Sequence, residues 1–130
     1  MNESVPQNTF EGFYYPDDDY FTRLPRDWFA ECAQIDNIAE LKVLLYLARH
    51  TWGFQEYDKW KRITVDEFVH GRFSGETRMD CGAGLSEMSV RNGLKKAIEH
   101  GYILEKTNNR DRARIRKSYK LKMYPKESEV

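Results

Sequence analysis

The clearest apolar periodicity in the chain lies between Ile38 and Trp52. Ile38, Leu41, Leu44, Leu45, Ala48 and Trp52 recur there at three- and four-residue intervals, which puts them on one helical face and predicts a core-facing stripe. Asn37 stands where an N-cap belongs, Glu40 follows three residues on as in a capping box, and Gly53 is the expected C′ stop. A second helical pattern begins at Leu85, in LSEMSVRNGLKKAIEHG. Val90, Leu94, Ala97 and Ile98 form its buried stripe, Ser86 its cap and Gly101 its end. After it the period changes to two. Ile115, Tyr119, Leu121 and Met123 alternate with Arg116, Ser118, Lys120 and Lys122, and Lys117 is the one break in the apolar row. This alternation predicts a strand with one buried and one basic face. With YILEKT as the strand before it and NNRDRAR as the turn between, the end of the chain is predicted as helix, strand, basic turn and strand.

Shorter signals fill the rest. Residues 20–24 suit a short strand. A helix over 25–35 would carry Pro25 in its first turn, where a missing N–H costs nothing, with Trp28 and Phe29 facing inward. Residues 54–61 form a polar link, and 62–64 a short strand able to pair with the C-terminal hairpin. Thr64 and Glu67 form a second capping box that opens a helix from Val65 to about His70. Residues 71–84, GRFSGETRMDCGAG, are Gly-rich and aperiodic, so they are expected to be a loop, tolerated as a surface insertion. Phe10, Phe13, Tyr14 and Tyr15 precede Asp17, Asp18 and Asp19 in an N-terminal arm. We expect its aromatics to pack on the domain's own helices, since a small domain needs apolar cover; docking of another protein or a second copy is the other reading. The expected organisation is an acidic aromatic arm over 1–19, one domain over 20–124 and a disordered tail over 125–130.

Composition narrows the class. The chain has 130 residues, enough for one domain. Its longest apolar run, 43–48, is far too short to span a bilayer, and its first residues lack the basic and apolar regions of a signal peptide. Cys32 and Cys81 show no metal or redox spacing, so a cytoplasmic setting is expected. The formal net charge is zero, but residues 1–40 hold nine Asp/Glu against two Lys/Arg, and residues 85–124 hold eleven Lys/Arg against four Asp/Glu. This asymmetry points to an anionic partner for the basic part, or to neutralisation of one end by the other. His50, His70 and His100 are scattered; His50 and His100 fall near helix C-termini, where a positive charge is mildly favoured. No phosphate-binding loop, nucleophile elbow or acidic pair with a plausible base is present. His70, Asp80 and Cys81 lack paired-ligand spacing. The expectation is therefore no catalytic residues, no metal, no cofactor, no small-molecule substrate and no membrane.

The helix from Ser86 keeps Glu87, Met88, Ser89, Arg91, Asn92, Lys95 and Lys96 off its apolar stripe. Arginine pairs with guanine O6/N7 and asparagine with adenine N6/N7 in a major groove, so Arg91 and Asn92, with Met88 beside them, are the base-reading candidates. Ser86 and Ser89, helped by backbone N–H groups at the helix start, suit phosphates, as do Lys95 and Lys96 further back. Lys106, Arg110, Arg112, Arg114, Arg116 and Lys117 cluster around the hairpin turn. So many like charges at one tip repel each other unless an anion meets them; Arg110, Arg112, Arg114 and Arg116 are the backbone candidates. Plainly solvated surfaces are the bland reading of both elements. The pattern implies an α+β, mainly α fold, a winged helix-turn-helix with a C-terminal two-stranded β-hairpin wing, and double-stranded DNA as partner.

Several segments also resemble a known family. YFTRLP at 20–25 resembles the opening F-T-x-hydrophobic-P of the N-terminal domain of lambda-type phage replication protein O. ELKVLL at 40–45, followed by RHTWGF at 49–54, resembles that family's helix and its R-x-T-aromatic-G-aromatic ending, and 59–64 resembles its approach to the helix-turn-helix. Gly84, Leu85 and Ser86, then Val90, Leu94, Gly101, Tyr102 and Ile103, are similar to a pattern common to many winged helices. The resemblance covers about residues 20–107. It implies an origin-binding replication initiator of a phage, plasmid or integrated element, acting in the cytoplasm. A helicase or other replication protein and a second copy of the chain are the further partners it suggests. The chain departs from the family in the 71–84 insertion, and it ends soon after the hairpin, so the helicase-recruiting segment is not expected in it. A transcriptional regulator of the same fold and a protein-interaction adaptor are the alternatives.

Overall fold

The computed structural model describes residues 10–15, 22–108, 110 and 116–124. These comprise about 42% helix and 17% strand, a mixed α+β fold. The expected strand near Tyr20 is not formed by Thr22 to Leu24, and the rest of it lies outside the described residues. Helix α1 (Arg26–Cys32) starts one residue later than expected, with Pro25 as its extended N-cap. Seven residues offer one narrow inward stripe, and Trp28 takes it, its ring 5.1 Å from that of Trp52. Phe29 faces solvent, contrary to expectation.

Helix α2 (Ile38–Thr51) is capped by Asn37, whose Oδ1 accepts the Glu40 N–H at 2.8 Å. Its buried face is rotated from the expected stripe. Val43, Leu44, Tyr46, Leu47 and Ala48 are inside, whereas Ile38 and Leu45 are 63% and 47% exposed. Apolar spacing misplaced the face because Glu40, Tyr46, His50 and Thr51 are interior residues with internal partners. The helix runs into a 3-10 turn at Trp52–Phe54, and Gln55, at φ 60°, takes the left-handed position expected of Gly53.

Strand β1 (Lys61–Arg62) leads into α3 (Val65–His70), whose capping box is complete: Thr64 Oγ1 accepts the Glu67 N–H at 3.0 Å, and Glu67 Oε1 accepts the Thr64 N–H at 2.9 Å. Residues 71–84 are more than a loop. Strands β2 (Phe73–Ser74) and β3 (Thr77–Arg78) pair antiparallel, and the chain then folds back beneath α3. Helix α4 (Glu87–Glu99) follows, then β4 (Ile103–Asn108) and β5 (Arg116–Leu121). The three-stranded antiparallel sheet has the order β1-β5-β4, with Ile103 opposite Leu121, Asn108 opposite Arg116 and Lys61 opposite Tyr119.

Val90, Leu94 and Ala97 of α4 share one core with Leu44 and Leu47 of α2, Phe68 of α3, and Ile103, Tyr119 and Leu121 of the sheet. Burying each of the larger side chains contributes about 1.5–3 kcal/mol. The domain therefore rests on the contact of α2, α4 and the sheet, not on short α1, which buries no residue completely. No described helix is long and apolar enough to cross a membrane.

Candidate nucleic-acid interface

Helix α4 is held at both ends and at its middle. Ser86 Oγ accepts the Ser89 N–H at 3.2 Å at its start. At its end, His100 Nδ1 lies 2.7 Å from Glu40 Oε2, whose side chain is 2% exposed. Glu40 thus ties the start of α2 to the end of α4 instead of closing a capping box. At mid-helix, Gly93 allows α4 to approach α2 closely, since a Cβ there would stand 2.6 Å from the Ala39 carbonyl oxygen.

The segment leading into α4 is locked by Asp80, which is 6% exposed. Its Oδ1 accepts the Tyr46 hydroxyl at 2.9 Å and the Gly82 N–H at 2.8 Å, and Oδ2 lies 3.1 Å from His50 Nε2. A carboxylate only accepts, so His50 Nε2 carries the proton. Burial raises the Asp80 pKa, but the hydrogen bonds from Gly82 and Tyr46 and the charge of His50 outweigh it and hold the carboxyl below its ordinary value. Burial pushes the His50 imidazole down, with Asp80 opposing, and pushes the Tyr46 phenol up, with Asp80 adding to it. All three groups are buried, so the cluster fixes structure and offers no open surface to a substrate. The sequence signal for it was weak, because His50 is explained as readily by its helix terminus. The 71–84 segment is accordingly anchored in the core and is not a loosely attached insertion. Arg78 Nε donates to the carbonyl oxygens of His70 and Asp80, and an Arg72 terminal N–H donates to the Arg62 carbonyl, so both side chains brace this segment. Among the described residues no three His, Cys, Asp or Glu side chains are grouped to hold a metal ion.

With α4 fixed in this way, Met88, Arg91, Asn92 and Lys95 follow i, i+3, i+4, i+7 on its exposed face, with Lys96 flanking them. Met88 is 73% exposed. Ser86 is exposed and Ser89 half-buried at the helix start. Arg91 is not a bare cation, because its guanidinium donates twice to Glu87 Oε2, at 2.9 and 3.1 Å. Arg91 also acts on Tyr119 of β5, whose hydroxyl is pushed up to about 12 by burial and by Glu105 while Arg91 pulls it down. Helix α4 and strand β4 are in contact, so the base of the hairpin adjoins the helix.

In the hairpin, Arg110 and Arg116 are exposed, and Lys117 lies 3.8 Å from Glu105 across the strands. Arg112 and Arg114 lie outside the described residues. Sequence reasoning overlooked Trp60, which sits in what looked like a polar link. Its ring has Lys120 Nζ 4.9 Å and Lys106 Nζ 5.7 Å from its centroid. The only signal was its position two residues before Arg62, in phase with a strand. Phe10, Phe13, Tyr14 and Tyr15 are all exposed; Phe10 and Phe13 stack edge-on to each other, but the four side chains do not pack on the helices as expected. No family profile, curated protein or solved structure matches the chain.

Proposed function

We propose that this chain is a winged helix-turn-helix protein that binds double-stranded DNA sequence-specifically, with α4 as the recognition helix and β4–β5 as the wing, and that it acts at a replication origin. The observation that carries this reading is the exposed row of Met88, Arg91, Asn92 and Lys95 on a rigidly seated helix, beside a basic antiparallel hairpin. The order α2, β1, α3, α4, β4, β5, with β1 paired to β5, suits such a fold. In the major groove Arg91 would take guanine, Asn92 adenine, and Met88 a thymine methyl. Ser86, Ser89, Lys95 and Lys96 would meet phosphates, with Arg110, Arg112, Arg114 and Arg116 gripping the backbone beside them. The origin role rests on the family resemblance alone.

The test is selection of bound duplexes from a random pool. One enriched motif is the expected result, and a pool without enrichment overturns sequence-specific binding. Clustered repeats of the motif near the gene support origin binding, whereas single sites at promoters support transcriptional regulation. Arg91→Ala and Asn92→Ala should each cost about 1–3 kcal/mol on the selected site. Equal losses on random duplex would remove both from base reading. The exposed Phe13, Tyr14 and Tyr15 favour one addition, an arm that docks a helicase, another replication protein or a second copy of the chain.

A further inference from the structure

The sheet has two faces, and the core shared with α4 lies on only one. Ile103, Tyr119 and Leu121 point into the core shared with α4. The register puts the alternate residues on the opposite face: Leu104, Lys106 and Asn108 from β4, Arg116, Ser118 and Lys120 from β5, and Arg62 from β1. No carboxylate occupies a register position on that face. Among the described residues neither Arg62, Lys106 nor Lys120 forms an ion pair. Trp60 lies against the two lysines and remains 37% exposed.

We infer that this outer face binds single-stranded nucleic acid, with an unpaired base stacked on Trp60 and the adjoining phosphates held by Lys106, Lys120 and Arg62. A tryptophan serving only to cover a sheet would sit on apolar neighbours. This one sits against two ammonium groups, and the register positions of the same face add Arg62 and, as the one large apolar residue, Leu104. The indole attracts each ammonium, but the cations repel one another, and an anion brought among them relieves that repulsion. A flat indole with flanking cations matches the two chemistries of a single strand, a base with a bare π-face and a charged backbone. A duplex hides its base faces in the stack, so it has nothing to offer Trp60. The site lies on the side of the sheet away from α4; the duplex reading takes only Arg116 from that face, at the end of β5 far from Lys120, and the single-strand site does not use it.

The experiment is fluorescence anisotropy of the full chain with labelled (dT)20 and (rU)20, with a random 20-base-pair duplex and polyglutamate as comparators. Trp60→Ala should weaken binding of both single strands by about tenfold, and Trp60→Phe should retain most of it. Lys106→Ala and Lys120→Ala should each flatten the dependence of log affinity on log salt by about 0.7. Duplex affinity should change by less than about twofold in the two Trp60 variants, because stacking needs an unpaired base. Unchanged single-strand binding in a folded Trp60→Ala protein overturns the proposal. So does equal loss on the duplex, which would make the face part of the duplex site. Polyglutamate displacing (dT)20 at equal charge concentration overturns it in favour of an acidic peptide. Arg91→Ala, which belongs to the other face, should leave single-strand binding intact, so either site can fail without the other.

Discussion

At Arg91 two partners compete for one guanidinium. Reading a guanine requires it to leave Glu87, and in the complex the Glu87 carboxylate would stand close to phosphates. An exposed i,i+4 pair is worth only about 0.3–0.5 kcal/mol, too little to prevent binding but enough to tax it. Glu87→Gln preserves shape and removes both the hold and the repulsion. It should tighten binding to every duplex by about two- to fivefold, read by anisotropy at low salt. Weaker binding would instead show that Glu87 orients Arg91 for its base. A different balance governs His50 and Asp80. Burial lowers the imidazole below its ordinary 6.5, and Asp80, although burial raises it, is held below its ordinary 3.8 by its donors. Both folded values lie below the unfolded ones, so the unfolded chain takes up protons first as the pH falls. The stability from this cluster is complete above about pH 6.5, declines below it as His50 approaches its folded value, and declines again below about 3.8 with Asp80. His50→Gln should remove the upper decline. Urea midpoints of both proteins at pH 7.5 and pH 5, taken as experimental settings about one unit or more either side of 6.5, give the comparison. Parallel losses would place the acid sensitivity elsewhere.

Among the elements, the crossing of α2 and α4 sets where the candidate surface points. Glycine inside a helix ordinarily costs about 1 kcal/mol relative to alanine, so Gly93→Ala would stabilise an isolated α4. Here the added methyl meets a backbone carbonyl at 2.6 Å, which cannot yield as a flexible side chain would. Overpacking costs about 1–3 kcal/mol and should outweigh the propensity gain. Gly93→Ala should therefore lower the denaturation midpoint and, by tilting α4, weaken duplex binding as well. A gain in stability would mean that α2 shifts freely. Gly93 also shows what was legible in the sequence and what was not. Caps were legible at Asn37, Thr64 and Ser86, because a cap is a local contact between residues three apart. The extents of α3 and α4 and the alternation through β5 followed from the same local rules. Contacts distant along the chain were hidden: Asp80 with His50, Glu40 with His100 and Gly93 with Ala39. They join letters that look like surface or spacer residues until the fold brings them together. The rotated face of α2 has this origin, since its interior includes polar residues whose partners lie 30 to 60 positions away. The face of α4 was read correctly because its interior is wholly apolar or glycine.

For the molecule as a whole, zero net charge predicts no pull on a polyanion, whereas the distribution of charge predicts a strong one. Cations outnumber carboxylates eleven to four across residues 85–124, and the excess of carboxylates lies at the other end of the chain. At physiological salt charges act over about 8 Å, so a bound strand responds to the side chains beside it and not to the sum over the protein. Each phosphate neutralised on a duplex adds about −0.9 to the slope of log affinity against log salt. Arg112, Arg114 and Arg116 replaced together by Ala should make that slope shallower by about 0.9 for every one of them that meets a phosphate. The loss should be the same on selected and random duplexes, because phosphate contacts carry no sequence information. Affinities measured between about 50 and 200 mM salt span enough range to resolve the change. A slope near zero in the unmodified protein would mean that the carboxyl-rich end already neutralises the hairpin. Exposure of Arg110, Arg116 and Lys106 argues against that.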